Sequence, residues 1–285
     1  MASTKEIVAK TEPAGDESRM PPLADVRGRL ERNRRLHYVD NPFYLASTPN
    51  LRQCNAITQS LIAFCISISG FCFYAKYRAA KLKDRRLAEF IDRNLVCSLP
   101  NWRQQRWWTL ITSSFTHVEL PHLALNMFSL QGVGPLALRV FGVPCFVSLW
   151  VFGAGACSIA SLHHQAWRER EEGRSPKSLG RRLDARTVTA FDAEEKEHTN
   201  FVGASGSLCA LIAALACLMP CADVSMIGVS MRMWVAEISL AGFSIISMCK
   251  GFFPKISHAG HLGGMIAGLA SYPFIRYGLL NHKRV

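Results

Sequence analysis

The sequence predicts an all-α, polytopic membrane protein whose fold is a bundle of six transmembrane helices. Only 19% of its 285 residues are charged and 49% are hydrophobic, whereas a soluble domain carries about 25% charge. The charges are also segregated, because five long runs contain no Asp, Glu, Lys or Arg. A run of about 20 mostly apolar residues is long enough to cross a bilayer as a helix. This pattern excludes a soluble globular enzyme, a nucleic-acid-binding protein and a disulfide-stapled secreted domain.

The fifth predicted span along the chain differs from the other five because it contains two charged residues, Arg232 and Glu237. The predicted spans are residues 56–75, 120–138, 140–162, 199–222, 226–249 and 256–275. Burying a charge in a membrane is costly and marks a residue for scrutiny. We interpret Glu237, near the middle of its span, as a carboxyl group bonded to a neighbouring helix rather than as a catalytic group.

The charged segments define the predicted domain organisation. We expect a mostly disordered N-terminal tail (1–55), a membrane domain (56–278) with a charged, flexible insert at about 164–198, and a short C-terminal tail (279–285). The net charge of +12 lies largely in loops beside the spans, where anionic lipid attracts it.

The distribution of Lys and Arg among the loops favours an orientation in which the loops that precede spans two, four and six face the cytosol or matrix. This orientation is compatible with a mitochondrial inner membrane, and the endomembrane system is the alternative location.

Four polar side chains are predicted to lie in one layer of the membrane. Alternation places the starts of spans two, four and six on the same side. Asn126 and Ser205 lie seven residues into their spans and His261 six residues into its span, which is roughly 8–10 Å below that surface at a rise of about 1.5 Å per residue. His122 shares the helical face of Asn126, one turn nearer the surface.

Glycines beside these residues predict a close approach of helices four and six. Gly203 and Gly206 flank Ser205, and Gly260, Gly264 and Gly268 recur at a spacing of four around His261. Small residues at such spacing let membrane helices pack with their backbones in contact. We expect the Ser205 hydroxyl to reach the His261 imidazole.

This group of side chains predicts nucleophilic catalysis. A serine hydroxyl needs a base to take its proton, and a neutral histidine suits that role near pH 7. We assign Ser205 as nucleophile and His261 as base and then acid. The Ser205 backbone N–H, the Asn126 amide and the His122 ring are available to stabilise an oxyanion. Because no Asp or Glu shares the layer, we expect a dyad, and peptide-bond hydrolysis is the fitting reaction.

Three motifs resemble those of the rhomboid intramembrane serine proteases, most closely the mitochondrial, presenilin-associated type. They are GASG at 203–206, AGHLGG at 259–264, and His117-x4-His122-x3-Asn126 followed by Met127 and Phe128. The resemblance covers roughly residues 56–278. It implies a six-helix fold, a dyad of Ser205 and His261, and oxyanion donors at His122 and Asn126. It also implies no metal or cofactor, and single-span membrane proteins with helix-destabilising residues near the cut as substrates.

Two alternatives compete with the protease hypothesis. A non-catalytic rhomboid-like protein would bind transmembrane clients, although such proteins typically lack the serine or the histidine. A metal site would use four imidazoles, but the sequence has no H-E-x-x-H helix and no acidic ligand nearby. The four candidate ligands are His117, His122, His258 and His261. We interpret His117 and His258 as structural or as lying at the mouth of the site.

Overall fold

A computed structural model describes residues 49–173, 201–226, 229–253 and 256–281. All of these residues belong to one compact unit, Phe43–Arg284. The predicted N-terminal tail up to residue 48, the insert from 174 to 200 and the C-terminal tail from 282 onward lie outside the described residues.

The described residues form a helical protein with one small β-hairpin. The helices are α1 (Leu51–Lys81), α2 (Arg86–Leu95), α3 (Leu99–Arg103), α4 (Thr109–Thr112), α5 (Leu120–Gly173), α6 (Ser205–Leu218), α7 (Met233–Lys250) and α8 (His258–Asn281), and the strands are β1 (Asp223–Met226) and β2 (Val229–Arg232). Within this part of the chain, α1, α5 and α7 are long and apolar enough to span a bilayer, and α6 is a shorter apolar helix. The predicted all-α membrane fold is confirmed.

Helix α5 accounts for two of the predicted spans. Its 54 residues are interrupted at Gly142, which has φ +74° and ψ +167°. Glycine tolerates this left-handed conformation because it has no Cβ. At about 1.5 Å per residue, either segment of α5 is long enough to cross the roughly 30 Å hydrocarbon layer. The second segment also continues to Gly173, beyond the predicted end at 162, so the first part of the insert is helical rather than flexible.

The fifth predicted span is wrong at its start, where residues 226 and 229–232 belong to strands and not to a helix. Strands β1 and β2 pair in an antiparallel arrangement in which Asp223 is opposite Arg232, and Arg232 Nε lies 3.5 Å from Asp223 Oδ1. Helix α7 begins at Met233. Glu237 is therefore the fifth residue of the helix and not near its middle, and its buried Oε2 atom has no hydrogen-bond partner in the described part of the chain. The bond to a neighbouring helix that we expected is not made by this atom.

Helix α6 is the most deeply buried of the described helices, since every residue from Gly206 to Leu215 is buried. Glycines let both neighbours approach its backbone. A Cβ on Gly153 of α5 would lie 2.6 Å from the Ala210 Cβ, and one on Gly268 of α8 would lie 2.2 Å from the Ala210 carbonyl oxygen. Real Cβ atoms do not come so close, so these backbones touch because the residues are glycine.

The segment between α1 and α5 anchors the chain that enters α6. The backbone N–H of Phe201 donates to the Cys97 carbonyl at 2.8 Å, and the Cys97 N–H donates to the Phe201 carbonyl at 3.1 Å. The Gly203 N–H donates to the Ser113 carbonyl at 2.9 Å. These backbone bonds set the position at which α6 begins.

Candidate active site

Ser205 and His261 are joined by a hydrogen bond. Ser205 is the first residue of α6 and His261 is the fourth residue of α8. The Ser205 Oγ lies 2.9 Å from the His261 Nε2, and both side chains are half-buried. This separation is within the range at which a base can take a proton from a hydroxyl.

The contact depends on direct packing between the backbones of α6 and α8. A Cβ on Gly264 would lie 2.3 Å from the carbonyl oxygen of Gly206. Gly206 follows Ser205 in the chain, and Gly264 lies three residues after His261, so the close contact adjoins the hydrogen-bonded pair. Larger residues here would separate the hydroxyl from the imidazole.

The second nitrogen of the His261 ring is not held by another side chain. In the part of the chain that the structure describes, His261 Nδ1 is buried and has no hydrogen-bond partner. The His258 ring lies perpendicular to the His261 ring, with 6.2 Å between their centroids. The arrangement is a pair and lacks the acidic third residue of a triad.

His122 and Asn126 meet the turn that precedes Ser205. Gly203 in this turn has φ +119°, and a Cβ on it would lie 2.6 Å from His122 Cε1 and 3.5 Å from Asn126 Nδ2. The Asn126 amide nitrogen is buried and has no hydrogen-bond partner among the described residues. A buried donor without a partner costs free energy, and a negative oxygen bound at this position would satisfy it.

His117 is a residue of this region whose contacts sequence reasoning missed. Its side chain is fully buried; Nε2 accepts the backbone N–H of Ala204 at 3.3 Å, and Nδ1 lies 3.3 Å from the Ser69 hydroxyl of α1. Burial, with a smaller effect of the neighbouring His122, lowers the pKa of His117 to about 3. The ring is therefore neutral and acts as a hydrogen-bond acceptor that holds the residue before Ser205. The position of His117 in the motif was the sequence feature that could have indicated this role, whereas no sequence pattern singled out Ser69.

The four histidines do not form a metal site in this structure. Among the described residues, no group of three or more His, Cys, Asp or Glu side chains is placed to hold a metal ion. Both ring nitrogens of His117 have hydrogen-bond partners, and His258 Nε2 lies 3.1 Å from the Phe252 carbonyl oxygen. These two rings instead contact other parts of the fold.

The fold and the site define a multi-pass integral membrane protein with a serine–histidine pair at a glycine-rich helix crossing. Residues 104–277, more than half of the chain, match the Rhomboid domain family model. The chain belongs to the rhomboid family, whose members are generally serine proteases. Family membership supports a function like that of an intramembrane protease.

Three relatives carry rhomboid names. RHOMBOID-like protein 12, mitochondrial, of Arabidopsis thaliana is 30% identical over 191 residues, which cover 67% of this chain and 53% of the relative. An uncharacterized mitochondrial rhomboid protein of Schizosaccharomyces pombe is 32% identical over 92 residues, 31% of this chain and 23% of that protein. RHOMBOID-like protein 9, chloroplastic, of Arabidopsis thaliana is 33% identical over 60 residues, 21% of this chain and 14% of that protein. The chain thus matches about half the length of the first relative, and the resemblance to the mitochondrial type is confirmed.

Proposed function

We propose that this protein is an intramembrane serine endopeptidase that hydrolyses peptide bonds in or near transmembrane segments. The observation that carries the proposal is the 2.9 Å hydrogen bond between Ser205 Oγ and His261 Nε2. Membership of the rhomboid family supports the same reaction class. A serine activated by a neighbouring base is the arrangement that acyl transfer requires.

The reaction begins when Ser205 Oγ attacks the carbonyl carbon of the scissile bond while His261 Nε2 takes the hydroxyl proton. The carbonyl oxygen becomes negative and accepts hydrogen bonds from Asn126 Nδ2, the His122 ring and the Ser205 backbone N–H. The tetrahedral intermediate then collapses, and His261 gives its proton to the departing amine. Water hydrolyses the resulting ester by the same steps, which returns the proton to Ser205 and releases the acid.

The proposed substrates are single-span membrane proteins with helix-destabilising residues near the cut. A carbonyl inside a regular helix is hydrogen-bonded within its own backbone. A locally unwound segment presents its carbonyl carbon to Ser205 more readily. The chemistry needs no metal or cofactor, because the histidine supplies proton transfer.

We also propose a mitochondrial inner membrane as the site of action, with the endomembrane system as the alternative. The first two relatives described above are named mitochondrial. Protease protection of a tag inserted between residues 173 and 180 tests the orientation in isolated mitochondria. We expect the tag to be protected from protease added outside the inner membrane. Digestion from that side would contradict the matrix-facing orientation.

The experiment that tests the proposed activity uses the purified full-length chain in liposomes with a model single-span substrate. We expect two product fragments and a new N-terminus within or beside the transmembrane segment, identified by mass spectrometry. A client-binding protein without activity would instead co-purify with the intact substrate. Intact substrate after prolonged incubation would overturn the protease proposal and support the binding function.

Removing the Asn126 amide is expected to slow the chemical step. Because Asn126 Nδ2 is buried without a partner beside the turn at Gly203, we expect Asn126→Ala to lower kcat by about 10²–10³-fold, the usual effect of losing one oxyanion donor. KM should change by less than about twofold, since the bond forms mainly in the transition state. Steady-state cleavage kinetics measure both constants.

Asn94→Ala is the matched control, because the Asn94 amide on α2 donates to the Phe90 carbonyl of its own helix at 2.9 Å. It should leave kcat near the wild-type value. If Asn126→Ala has the same kcat as Asn94→Ala, Asn126 does not stabilise the oxyanion.

A further inference from the structure

Two serine hydroxyls outside the recognised motifs connect α5 to the start of α8. Ser161 Oγ in the second segment of α5 lies 2.6 Å from Ser257 Oγ, and Ser161 is fully buried. Ser257 directly precedes α8. Its Oγ accepts the Gly260 N–H at 3.2 Å, and its carbonyl accepts the His261 N–H at 3.0 Å. Ser257 therefore caps the turn of helix that carries His261.

The hydrogen bonds in this cluster run in one direction. Ser161 Oγ donates its single proton to the Cys157 carbonyl at 2.8 Å. Ser257 is therefore the donor in the hydrogen bond between the two hydroxyls. Each hydroxyl donates once and accepts at least once, as its chemistry allows. The chain of bonds leads from the Gly260 N–H through Ser257 and Ser161 to the backbone of α5.

The α5 residue at the end of this chain also contacts the helix of the nucleophile. A Cβ on Gly206, the residue after Ser205, would lie 2.2 Å from the Cys157 Cβ. Cys157 therefore packs against α6 through its side chain, and its carbonyl accepts the hydroxyl of Ser161, which in turn accepts the hydroxyl of Ser257. One turn of α5 sets the separation between the two helices that contribute Ser205 and His261.

The His261 ring requires such support because no described residue holds its second nitrogen. In a serine protease triad, a carboxylate bonded to Nδ1 orients the imidazole, whereas His261 Nδ1 has no partner within the described ranges. The position of the ring then depends on the first turn of α8. We propose that Ser161 and Ser257 are positioning residues, which hold that turn so that His261 Nε2 remains in hydrogen-bond contact with Ser205 Oγ. The inference rests on the proposed protease function.

The test compares cleavage kinetics of the full-length protein and its serine variants in liposomes. Misplacing a catalytic group by about 1 Å costs up to about 100-fold in rate, so we expect Ser257→Ala and Ser161→Ala each to lower kcat about 10-fold or more. KM should remain within about twofold, because neither hydroxyl belongs to the proposed substrate-contacting groups. Ser257→Thr, which retains a capping hydroxyl, should recover most of the lost kcat. The double variant should have a kcat only slightly below that of the less active single variant, because both serines belong to one chain of hydrogen bonds.

Ser257→Gly separates positioning from folding. Glycine is nearly as good a helix cap as serine, but it cannot bond to Ser161. We expect a melting temperature close to wild type together with the reduced kcat of Ser257→Ala. A wild-type kcat in Ser257→Gly would overturn the proposal.

Ser271→Ala is the matched control on the same helix, because the Ser271 hydroxyl donates at 2.7 Å to the Ala267 carbonyl of α8 itself. It should keep kcat within about twofold of wild type. If cleavage depends on Ser205 but the Ser161 and Ser257 variants match Ser271→Ala, the positioning role fails and the protease function stands. If the wild type does not cleave, or cleaves without Ser205, the protease function fails and the positioning role fails with it.

Discussion

Ser205→Ala is expected to lower the cleavage rate by about four orders of magnitude or more, the scale on which loss of a catalytic serine acts in serine proteases. The alanine removes the atom that we propose attacks the peptide carbonyl and leaves the remainder of the first turn of α6 in place. Cleavage of a model single-span substrate in liposomes, followed by quantitative gel analysis, measures the loss. His261→Ala should give a loss of the same order, because the two residues act as one unit.

Ser207→Ala is the matched control for this substitution. Ser207 lies two residues further along α6, and its hydroxyl donates to the Trp150 carbonyl of α5 at 2.8 Å rather than to His261. We expect a modest loss of stability, about 1 kcal/mol for a lost hydrogen bond, with catalysis retained. Activity in Ser205→Ala comparable to that of Ser207→Ala would contradict the assignment of the nucleophile.

Gly264→Ala is expected to damage both the fold and the activity. The added Cβ would lie 2.3 Å from the Gly206 carbonyl oxygen, so α6 and α8 must move apart. Overpacking of this kind costs about 1–3 kcal/mol of unfolding free energy. The same movement lengthens the contact between Ser205 and His261, which should lower kcat by up to about 100-fold. Thermal unfolding in detergent and cleavage kinetics measure the two effects.

The opposite outcome is expected for Gly242→Ala on α7, where an added Cβ meets no atom within 4 Å. Alanine is the better helix former by about 0.5–1 kcal/mol, so this variant should keep or slightly raise the melting temperature. If Gly264→Ala unfolds at the same temperature as Gly242→Ala and remains fully active, the close crossing of α6 and α8 does not exist in the membrane.

The sequence predicted the spans well where length and charge both define them. The charge-free runs of α1 and α5 are too long and too apolar for anything but membrane helices. The depth predicted for Ser205 and His261 used a helical rise per residue from the start of each span, but α6 begins at Ser205 itself and α8 begins at His258, so that count does not apply to the residues before them. The span prediction uses only local, regular geometry, which a sequence records directly.

The pairing of β1 with β2 could not be predicted in this way. A short apolar run such as 224–231 is compatible with a strand or a helix, and periodicity does not distinguish them. The antiparallel pairing of Asp223 with Arg232 decides the outcome. Since the predicted span began at residue 226, the last residue of β1, Glu237 was placed too deep in its helix.

No sequence pattern predicted the contacts that support the site. Ser161 and Ser257 are 96 residues apart, and Ser69 and His117 are 48 residues apart. Serine occurs throughout membrane helices as a small residue that bonds to its own backbone. Only the folded arrangement shows which of these hydroxyls bonds to a different helix.

Covalent labelling with a fluorophosphonate probe tests the Ser205–His261 pair most directly. An activated serine attacks the phosphorus and displaces fluoride, so the label marks the nucleophile, and peptide mass spectrometry locates it. We expect a stable adduct on Ser205 in the wild-type protein, concurrent loss of cleavage, and at least about 100-fold slower labelling in His261→Ala because no base takes the hydroxyl proton. An adduct on another residue, or equal labelling rates with and without the His261 imidazole, would contradict this account.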